Sequence, residues 1–463
     1  MKGLENDLAE LVGHGSLKTE PEDMFAYQSD ATHYFAKGMP DAVVLPTSTE
    51  EVAAVVSYAN KNQVPVTPRG AGSGLSGGCT PVKGGIVLDM KRMNKILEIN
   101  RGNMTASVDA GVVLANFHKA VESQGLFYPP DPQSMTVCTI GGNVATRAGG
   151  PRGVKYGTTP HYVLGVEAVL PDGYIIQAGG KCVKQSVGYD LTHLFAGSEG
   201  TLGVITKANL RIMPLPPCHR TALVTCKSIE QAAEMVSEII AAGTVPAMLE
   251  LLMGMSVHVM NSMISPPAPI DGEAYLLMDI DGSESQVAED SETLQTICRD
   301  MGAMEVRVIE DEKEAKTYWK ARSSLYPLAL TMAKKVVAED VTVPRDKVPV
   351  FVREVQAMAG RLGLLVGLSG HAGDGNMHPT ILYGEVNEEQ EKLARQAISQ
   401  IVRIGLALGG TISGEHGIGL HKSEYLEWDL GGAQIELMKR VKNAFDPNGI
   451  MNPGKLWLQG GAS

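Results

Sequence analysis

The stretch PVTPRGAGSGLSGGCTPVKGG, residues 65–85, is the part of the chain that decides the fold. Residues 72–77 match the pattern GxGxxG and follow a predicted strand, as in a dinucleotide-binding Rossmann turn. That turn needs a helix directly after the glycines, because the helix N-terminus binds the pyrophosphate. The residues that follow, CTPVKGG, cannot begin a helix. We therefore expect a nest of backbone N–H groups that binds a pyrophosphate, with Arg69 close by; a flexible surface turn is the alternative.

Composition and charge limit the class of protein. The 463 residues are 44% hydrophobic and 20% charged, which is typical of a globular chain with several cores. The formal charge of −12 and the absence of a Lys/Arg cluster argue against nucleic-acid binding. No apolar run is long enough for a membrane span, and the start MKGLENDLAELV lacks the apolar core of a signal peptide, so we expect a cytoplasmic protein. The six cysteines lie singly, which argues against disulfide, zinc or iron–sulfur motifs.

The coarse organisation changes near residue 215. Before it lies a glycine-rich mixture of helices and strands, including a helix after Thr47 with Ser48 and Glu51 as a capping box. The proline-rich residues 214–217 mark a boundary. Residues 221–309 then read β-α-β-β-α-β, the ferredoxin-like order. The tail from residue 423 ends in a predicted helix over 433–445 and a Pro/Gly-rich coil.

Further motifs occur in a fixed order along the chain. They are PPDP (129–132), IGGNVA (140–145), GVKYG (153–157) and GSEGTLGVIT (197–206), then GHAGDGNMH (370–378), SGEHG (413–417) and FDPNGIMNPG (445–454). With residues 65–85, the first group resembles the FAD-binding domain of the vanillyl-alcohol oxidase/p-cresol methylhydroxylase superfamily. The second group resembles the branch that contains the glycolate oxidase D subunit, D-lactate dehydrogenase and D-2-hydroxyglutarate dehydrogenase.

This resemblance implies an α+β protein with a vanillyl-alcohol oxidase/p-cresol methylhydroxylase-type FAD domain and a ferredoxin-like antiparallel-sheet cap domain. The FAD domain would span residues 1–215, the cap with the substrate and metal sites 216–422, and a C-terminal segment, 423–463, would return to the FAD domain. Some relatives attach flavin covalently through a histidine of an RGGGHS-like loop. Here Ser73 stands at that place, so we expect non-covalent FAD.

The same analogy assigns a set of FAD-binding residues spread over the first half of the chain and its tail. They are Pro68, Arg69, Gly70, Ala71, Gly72, Ser73, Gly74, Gly77, Gly78, Pro132, Ser134, Gly141, Gly142, Asn143, Ala145, Gly153, Tyr156, Gly157, Glu199, Gly200, Ile205 and Asn452.

A metal site is predicted in the second half. The segment between His371 and His378 is too rich in glycine for a helix, so we expect two strands joined by a turn that bring both imidazoles to one cleft. Glu415 would complete a set of two histidines and one carboxylate with open positions, which zinc, manganese and iron(II) accept. On spacing alone, structural histidines are the alternative, and the family resemblance favours the divalent metal.

Three further residues are candidates for the chemistry. His416 directly follows the proposed ligand Glu415 and has a pKa class suited to a general base, unless it is a solvent-facing loop histidine. By resemblance Arg322 binds the substrate carboxylate, with a helix-surface arginine as the alternative. Asn376, inside the glycine-rich turn, is a second polar contact.

The resemblance implies a FAD-dependent dehydrogenase that oxidises a D-2-hydroxy acid by metal-assisted proton abstraction and hydride transfer. Relatives that act on dicarboxylic acids have a basic residue shortly before the strand equivalent to 340–344, where this chain has Ala338 and Glu339. That departure favours D-lactate or glycolate over D-2-hydroxyglutarate. Other readings are a non-catalytic FAD subunit of a glycolate oxidase-like complex and a flavin-assisted transferase such as alkyl-dihydroxyacetone-phosphate synthase. Electrons would pass to a quinone or to a partner such as an electron-transferring flavoprotein or an iron–sulfur subunit, in an oligomer or hetero-complex.

Overall fold

The computed structural model describes residues 2–32, 37–264 and 271–457, and these form two compact units. The first unit contains the described residues of 2–148, 158–215 and 415–457. The second contains those of 149–157 and 216–414. This grouping differs from the sequence prediction at two segments, because residues 149–157 pack with the second unit and 415–422 with the first.

The helices are α1 (Lys2–Val12), α2 (Pro21–Met24), α3 (Thr49–Asn62), α4 (Leu114–Glu122), α5 (Ile140–Thr146), α6 (Gly153–Tyr156), α7 (Leu191–Phe195), α8 (Ile229–Ala241), α9 (Gly254–Met260), α10 (Glu284–Asp300), α11 (Glu312–Ser323), α12 (Leu325–Met332), α13 (Val348–Leu362), α14 (Glu388–Ala407), α15 (Leu426–Leu430) and α16 (Gly432–Phe445). Short 3₁₀ helices cover His14–Ser16, Phe25–Tyr27, Met90–Arg92, Thr159–Tyr162 and Arg345–Lys347.

The strands are β1 (Leu17–Lys18), β2 (Ala42–Val44), β3 (Val66–Arg69), β4 (Ile86–Asp89), β5 (Ile96–Asn100), β6 (Thr105–Asp109), β7 (Leu126–Phe127), β8 (Val163–Val169), β9 (Ile175–Gly179), β10 (Val204–Arg211), β11 (Met213–Pro214), β12 (Cys218–Cys226), β13 (Met248–Met253), β14 (Ala274–Gly282), β15 (Glu305–Ile309), β16 (Lys335–Ala338), β17 (Val341–Thr342), β18 (Leu365–His371) and β19 (Asn376–Tyr383).

The first unit contains two main sheets. One has the order β1-β2-β4-β3, in which β2, β4 and β3 run parallel, and the other has the antiparallel order β5-β6-β10-β8-β9. Helix α3 packs its apolar face on the core of the parallel sheet, through Val52, Val55 and Val56. Ser48 caps this helix by accepting the N–H of Glu51 at 3.2 Å, and the Glu51 carboxylate accepts the N–H of Thr47.

The C-terminal tail is hydrogen-bonded into the parallel sheet of the first unit. The N–H of Val66 on β3 donates to the carbonyl of Ile450 at 2.8 Å, and the N–H of Asn452 donates to the carbonyl of Val66 at 2.7 Å. The tail therefore runs beside the strand that leads into the glycine-rich loop, and it fixes the start of that loop.

The second unit is built on one eight-stranded sheet, in the order β15-β12-β14-β13-β18-β19-β16, with β17 also pairing with β19. Its first four strands, with α8 and α10, have the ferredoxin-like order, so the predicted α+β class and the β-α-β-β-α-β pattern are confirmed. Helix α9, between β13 and β14, was not predicted. Strand β13 is almost wholly buried, and its residues are apolar except for one buried acidic residue, Glu250. No helix among the described residues is long and apolar enough to cross a membrane.

Candidate functional site

Residues 70–78, here called the cradle loop, follow β3 without entering a helix. Within the described part of the chain, the N–H groups of residues 71–74 donate to no protein acceptor. Gly72 has φ +71°, and a Cβ there would lie 2.1 Å from Nη2 of Arg69. Only glycine fits this backbone, and the exposed donors can bind an anion.

Arg69, which we expected beside the anion, is directed elsewhere. Its Nη1 donates to the carbonyl of Ser29 at 2.9 Å, and its Nη2 donates to the carbonyl of Ala26 at 3.2 Å. Its guanidinium also lies 5.4 Å from the centre of the Tyr27 ring. The Arg69 guanidinium therefore stabilises the segment next to the cradle loop. The donors available to an anion are the backbone N–H groups of the loop.

Several predicted FAD-binding residues meet in one hydrogen-bond network. Nδ2 of Asn452 donates to the carbonyls of Gly78 at 2.8 Å and Glu199 at 2.6 Å. The N–H of Glu199 in turn donates to the carbonyl of Ala145 at 2.9 Å. Asn452 thus joins the cradle loop, the 197–206 segment and the C-terminal tail, which are far apart in sequence. Buried Lys455, which sequence reasoning missed, adds a bond to the carbonyl of Thr80 at 2.6 Å.

The Glu199 carboxylate holds the chain just after His416. It accepts the N–H groups of Ile418 and Gly419, each at 2.8 Å. Burial raises the pKa of the Glu199 carboxyl, although these two donors oppose the shift. The carboxylate of Glu199 therefore orders the loop that carries the half-buried His416, and the expected contact of Glu199 with FAD stays a prediction.

Gly141 and Gly142 contribute by close packing. Their N–H groups donate to the carbonyl of Ala110 and to Oγ1 of Thr139, so they are already used by the protein. A Cβ on Gly141 would lie 2.6 Å from Cβ of Ala110. Nδ2 of the neighbouring Asn143 is buried without a hydrogen-bond partner among the described residues, which is the state expected of a group that contacts a cofactor oxygen.

The predicted FAD-binding residues divide between the two units. Gly153, Tyr156 and Gly157 lie in the second unit, where the Tyr156 hydroxyl donates to Oδ2 of Asp281 at 2.7 Å. The others lie in the first unit: Pro68, Arg69, Gly70, Ala71, Gly72, Ser73, Gly74, Gly77, Gly78, Pro132, Ser134, Gly141, Gly142, Asn143, Ala145, Glu199, Gly200, Ile205 and Asn452.

The second unit carries a line of polar side chains across three strands. In the β13–β18 pairing Leu251 lies opposite Gly370, so Glu250 and His371 are the next pair in the same register. In the β18–β19 pairing His371 lies opposite Asn376, and we call Glu250, His371 and Asn376 the strand row. Residues directly opposite in neighbouring strands point to the same face. Nδ1 of His371 donates to Oε1 of Glu250 at 2.5 Å. The row lies in the sheet interior, since its three members are at most 5% exposed.

His378 lies diagonally across the β18–β19 pair from His371, as expected for two strands joined by a turn. The two ring centroids are 5.0 Å apart, and Nδ1 of His378 lies 3.3 Å from the carbonyl oxygen of Glu339. Glu415, the third predicted ligand, is grouped with the first unit. Glu415 follows Gly414, the last residue of the second unit. These donors, two imidazoles and one carboxylate, suit a divalent transition metal.

Arg322, near the end of α11, is buried and paired. Its Nε lies 2.8 Å and its Nη2 lies 2.5 Å from Oε2 of Glu250. Burial alone would raise the pKa of Glu250, but the charge of Arg322 and the contact with His371 outweigh it and hold the pKa below its usual value. Arg322 is therefore no helix-surface arginine, and one edge of its guanidinium is already occupied.

Asn376, proposed as a substrate contact, has a partner within the protein. Its Nδ2 donates to Oδ1 of Asp340 at 2.6 Å. The other oxygen of Asp340 accepts the Ser413 hydroxyl at 2.7 Å and the Gly414 N–H at 3.0 Å. Asp340 therefore fixes the backbone directly before Glu415 and also orients the Asn376 amide.

Glu250 and Asp340 were both missed by sequence reasoning. Glu250 left one signal, because it is the lone charged residue in the apolar run MLELLM (248–253). A charge in such a strand is costly unless it is paired, so its presence predicts a partner but does not identify one.

Two family models match the chain. The model described as FAD linked oxidases, C-terminal domain, matches residues 215–456, which is more than half of the chain. The model described as FAD binding domain matches residues 40–179.

Similar proteins cover almost all of the chain. The glycolate oxidase subunit GlcD of Bacillus subtilis is 41% identical over 458 residues, 99% of this chain and 97% of that protein. The D-lactate dehydrogenase of Anaerostipes hadrus is 37% identical over 440 residues, 93% of this chain and 92% of that protein. The solved structure of p-cresol methylhydroxylase with substrate bound has a TM-score of 0.82 at 18% identity, covering 99% of this chain and 96% of that one. The expected vanillyl-alcohol oxidase/p-cresol methylhydroxylase-type fold is confirmed.

Proposed function

The chain belongs to the FAD-linked oxidases and is a FAD-dependent oxidoreductase, and from this premise we propose that it oxidises a short D-2-hydroxy acid, D-lactate or glycolate, to the 2-oxo acid. The observation that carries the proposal is the pair His371 and His378, whose ring centroids lie 5.0 Å apart on neighbouring strands, together with the backbone before Glu415 that Asp340 fixes. Similar proteins that are named for glycolate or D-lactate oxidation support the substrate class.

The first unit is suited to non-covalent FAD. The N–H groups of residues 71–74 would bind its pyrophosphate, and Asn143 would offer its buried amide nitrogen. Ser73 stands where covalent relatives are expected to have histidine. When bound, FAD supplies the oxidising power, by accepting the hydrogen on the substrate α-carbon as hydride.

A divalent metal would be held by His371, His378 and Glu415. Zinc, manganese and iron(II) all accept this donor set. When bound, the ion supplies Lewis acidity that favours ionisation of the substrate hydroxyl. In the protein, His378 and His371 are oriented by the Glu339 carbonyl and the Glu250 carboxylate, so both imidazoles are restrained before a ligand arrives.

The remaining residues bind the substrate and move its proton. Arg322 would pair with the substrate carboxylate through the part of its guanidinium that Glu250 does not contact. His416 would take the hydroxyl proton on an imidazole nitrogen, since a neutral histidine is a suitable base near pH 7. This proton is one of the two hydrogens that the substrate loses, and FAD, when bound, would supply the acceptor for the other.

The residues before Asp340 favour a substrate with one carboxylate. Glu339 and Asp340 are both fully buried acids, so neither offers a cationic group to a second substrate carboxylate. The upstream Lys335 is paired with Glu391 at 2.7 Å, so its charge is compensated within the protein. No basic side chain stands at 338 or 339 to bind the distal carboxylate of D-2-hydroxyglutarate.

We also propose that electrons leave through a quinone or a partner protein, such as an electron-transferring flavoprotein or an iron–sulfur subunit. One similar protein is named as a subunit, which supports a hetero-complex. Mass spectrometry of proteins that co-purify with the chain tests this part of the proposal.

The substrate is tested by anaerobic flavin bleaching and by steady-state turnover with an artificial dye as acceptor. We expect kcat/KM for D-lactate or glycolate to exceed that for D-2-hydroxyglutarate by about tenfold or more. The reason is that the distal carboxylate of D-2-hydroxyglutarate would have no cationic side chain to pair with. L-lactate is the stereochemical control. Better turnover of the dicarboxylate would overturn the substrate assignment, and no bleaching by any 2-hydroxy acid would favour a non-catalytic subunit or a transferase.

A further inference from the structure

We propose that Glu250 is a positioning residue that holds the metal ligand His371 and the substrate anchor Arg322 in one fixed arrangement. The inference rests on the proposed function, because it gives His371 and Arg322 the roles assigned there. It adds a residue with no chemistry of its own that couples the metal site to the carboxylate site.

Strand register creates this arrangement. The β13–β18 pairing places Glu250 directly opposite His371, although the two residues are 121 positions apart in sequence. The carboxylate is divided between two partners: Oε1 accepts Nδ1–H of His371 at 2.5 Å, and Oε2 contacts Nε and Nη2 of Arg322 at 2.8 and 2.5 Å. His371 and Arg322 therefore both hold the Glu250 carboxylate in place, and through it each of them restrains the position of the other.

The bond to Glu250 decides which nitrogen of His371 can bind a metal. A carboxylate only accepts hydrogen bonds, so Nδ1 carries the proton and the lone pair is on Nε2. Histidine ligands in metal sites are commonly oriented in this way by an acceptor on the opposite nitrogen. His378 has the same arrangement, since its Nδ1 faces the Glu339 carbonyl at 3.3 Å.

The burial of Glu250 shows that the arrangement is specific. The residue is fully buried within an otherwise apolar strand, where an unpaired carboxylate would be strongly unfavourable. Two partners with hydrogen-bond donors compensate this charge. A smaller or neutral residue would leave the guanidinium of Arg322 buried without its counter-charge and His371 without its acceptor.

The test is the variant Glu250→Gln in the FAD-bound protein, stripped of metal by a chelator and titrated with Mn²⁺ alone. A glutamine has one carbonyl oxygen, so it cannot accept from both His371 and Arg322. We expect the Kd for Mn²⁺ to rise by roughly 10-fold or more, as for other outer partners of metal ligands. We also expect a raised KM for D-lactate, with unchanged FAD content.

The matched control is Asp279→Asn. Asp279 is a buried carboxylate in β14 of the same sheet, and it accepts the Thr221 hydroxyl at 2.7 Å. Its substitution removes a buried charge from the same unit without touching His371 or Arg322, so Mn²⁺ affinity and KM should stay at the wild-type values. Glu250→Asp is the second variant, in case the glutamine variant does not fold. It keeps the charge but is one methylene too short to reach both partners, and it should give an intermediate Kd.

The outcomes separate this proposal from the proposed function. If wild type binds Mn²⁺ and oxidises D-lactate but both Glu250 variants match it, the positioning role is wrong and the function stands. If the Glu250 variants lose metal only in proportion to a loss of FAD or of thermal stability that Asp279→Asn shares, Glu250 is merely structural. If wild type binds no metal, both proposals fail.

Discussion

The cradle loop and the strand row offer different groups to a ligand: the loop offers backbone N–H groups, and the row offers side chains. The cradle loop uses backbone N–H groups, with Gly72 at φ +71° keeping side chains out of the way. The strand row uses the charged and polar side chains of Glu250, His371 and Asn376, each tied to a partner. A loop of this kind depends on the conformation of neighbouring residues. A row of this kind depends on strands whose pairing partners are far apart in sequence.

The largest expected effect of a substitution, a loss of metal and of flavin reduction, is in the strand row. His371→Ala removes a proposed metal ligand, so the metal should be lost and flavin reduction should fall by more than the roughly 10- to 100-fold typical of outer partners. FAD content should not change, because the cradle loop lies in the other unit. Elemental analysis, flavin absorbance and the anaerobic bleaching rate measure the three quantities.

His416→Ala is the companion variant. It should keep the metal and still slow flavin reduction by roughly 10²-fold or more, as expected when a general base is removed. If it loses metal as completely as His371→Ala, His416 is a ligand or a support. If both variants bleach at the wild-type rate, the histidines are structural.

A smaller effect, confined to the other region, is expected for Gly72→Ala. The left-handed backbone costs a non-glycine residue roughly 1–2 kcal/mol, and the added Cβ would lie 2.1 Å from Arg69. The Kd for FAD should rise by about 10-fold, while metal binding stays intact. Fluorescence titration of the apoprotein with FAD measures the change.

Gly180→Ala is the matched control, since a Cβ there meets nothing within 4 Å and the residue is outside the cradle loop. Equal losses of FAD affinity in the two glycine variants would contradict the special role of the cradle loop. A loss of metal in Gly72→Ala would show that the two regions are not independent.

The smallest effect is expected for Asp340→Asn. The asparagine side chain has one carbonyl oxygen. It can accept either the Asn376 amide or the Ser413 hydroxyl and the Gly414 N–H, but it cannot keep all three hydrogen bonds. Asp340 fixes the backbone before Glu415, and its Oδ1 lies 4.0 Å from Nδ1 of His378, beyond hydrogen-bond distance. The Kd for Mn²⁺ should therefore rise by a few-fold, less than the roughly 10-fold loss typical of a direct outer partner. Titration of the variant with Mn²⁺, with Asp279→Asn as the control, checks this. A larger rise in Kd than in Glu250→Gln would show that Asp340 matters more for metal binding than Glu250.

Sequence patterns predicted those parts of the molecule that are determined by interactions between residues close together in the chain. The Ser48 half of the predicted capping box, the missing helix after GxGxxG, the two strands around residues 371–378 and the ferredoxin-like order all follow from neighbouring residues. The other half differs, because the Glu51 carboxylate accepts the N–H of Thr47 and not that of Ser48. The grouping of segment 149–157 with the second unit did not follow from neighbouring residues, because it depends on contacts such as that of Tyr156 with Asp281, which are remote in sequence.

The amino-acid sequence is sufficient to identify the residue types: glycines that permit a close-packed loop, and the histidines and carboxylates that can bind a metal. The partners of these residues depend on how the chain folds. Arg69 turns to the carbonyls of Ala26 and Ser29, and Glu199 turns to the N–H groups after His416. Glu250 stands opposite His371 because β13 pairs with β18 in one register. A shift of β13 by one residue would point Glu250 to the other face of the sheet, away from His371, and no local pattern in either strand reveals which register forms.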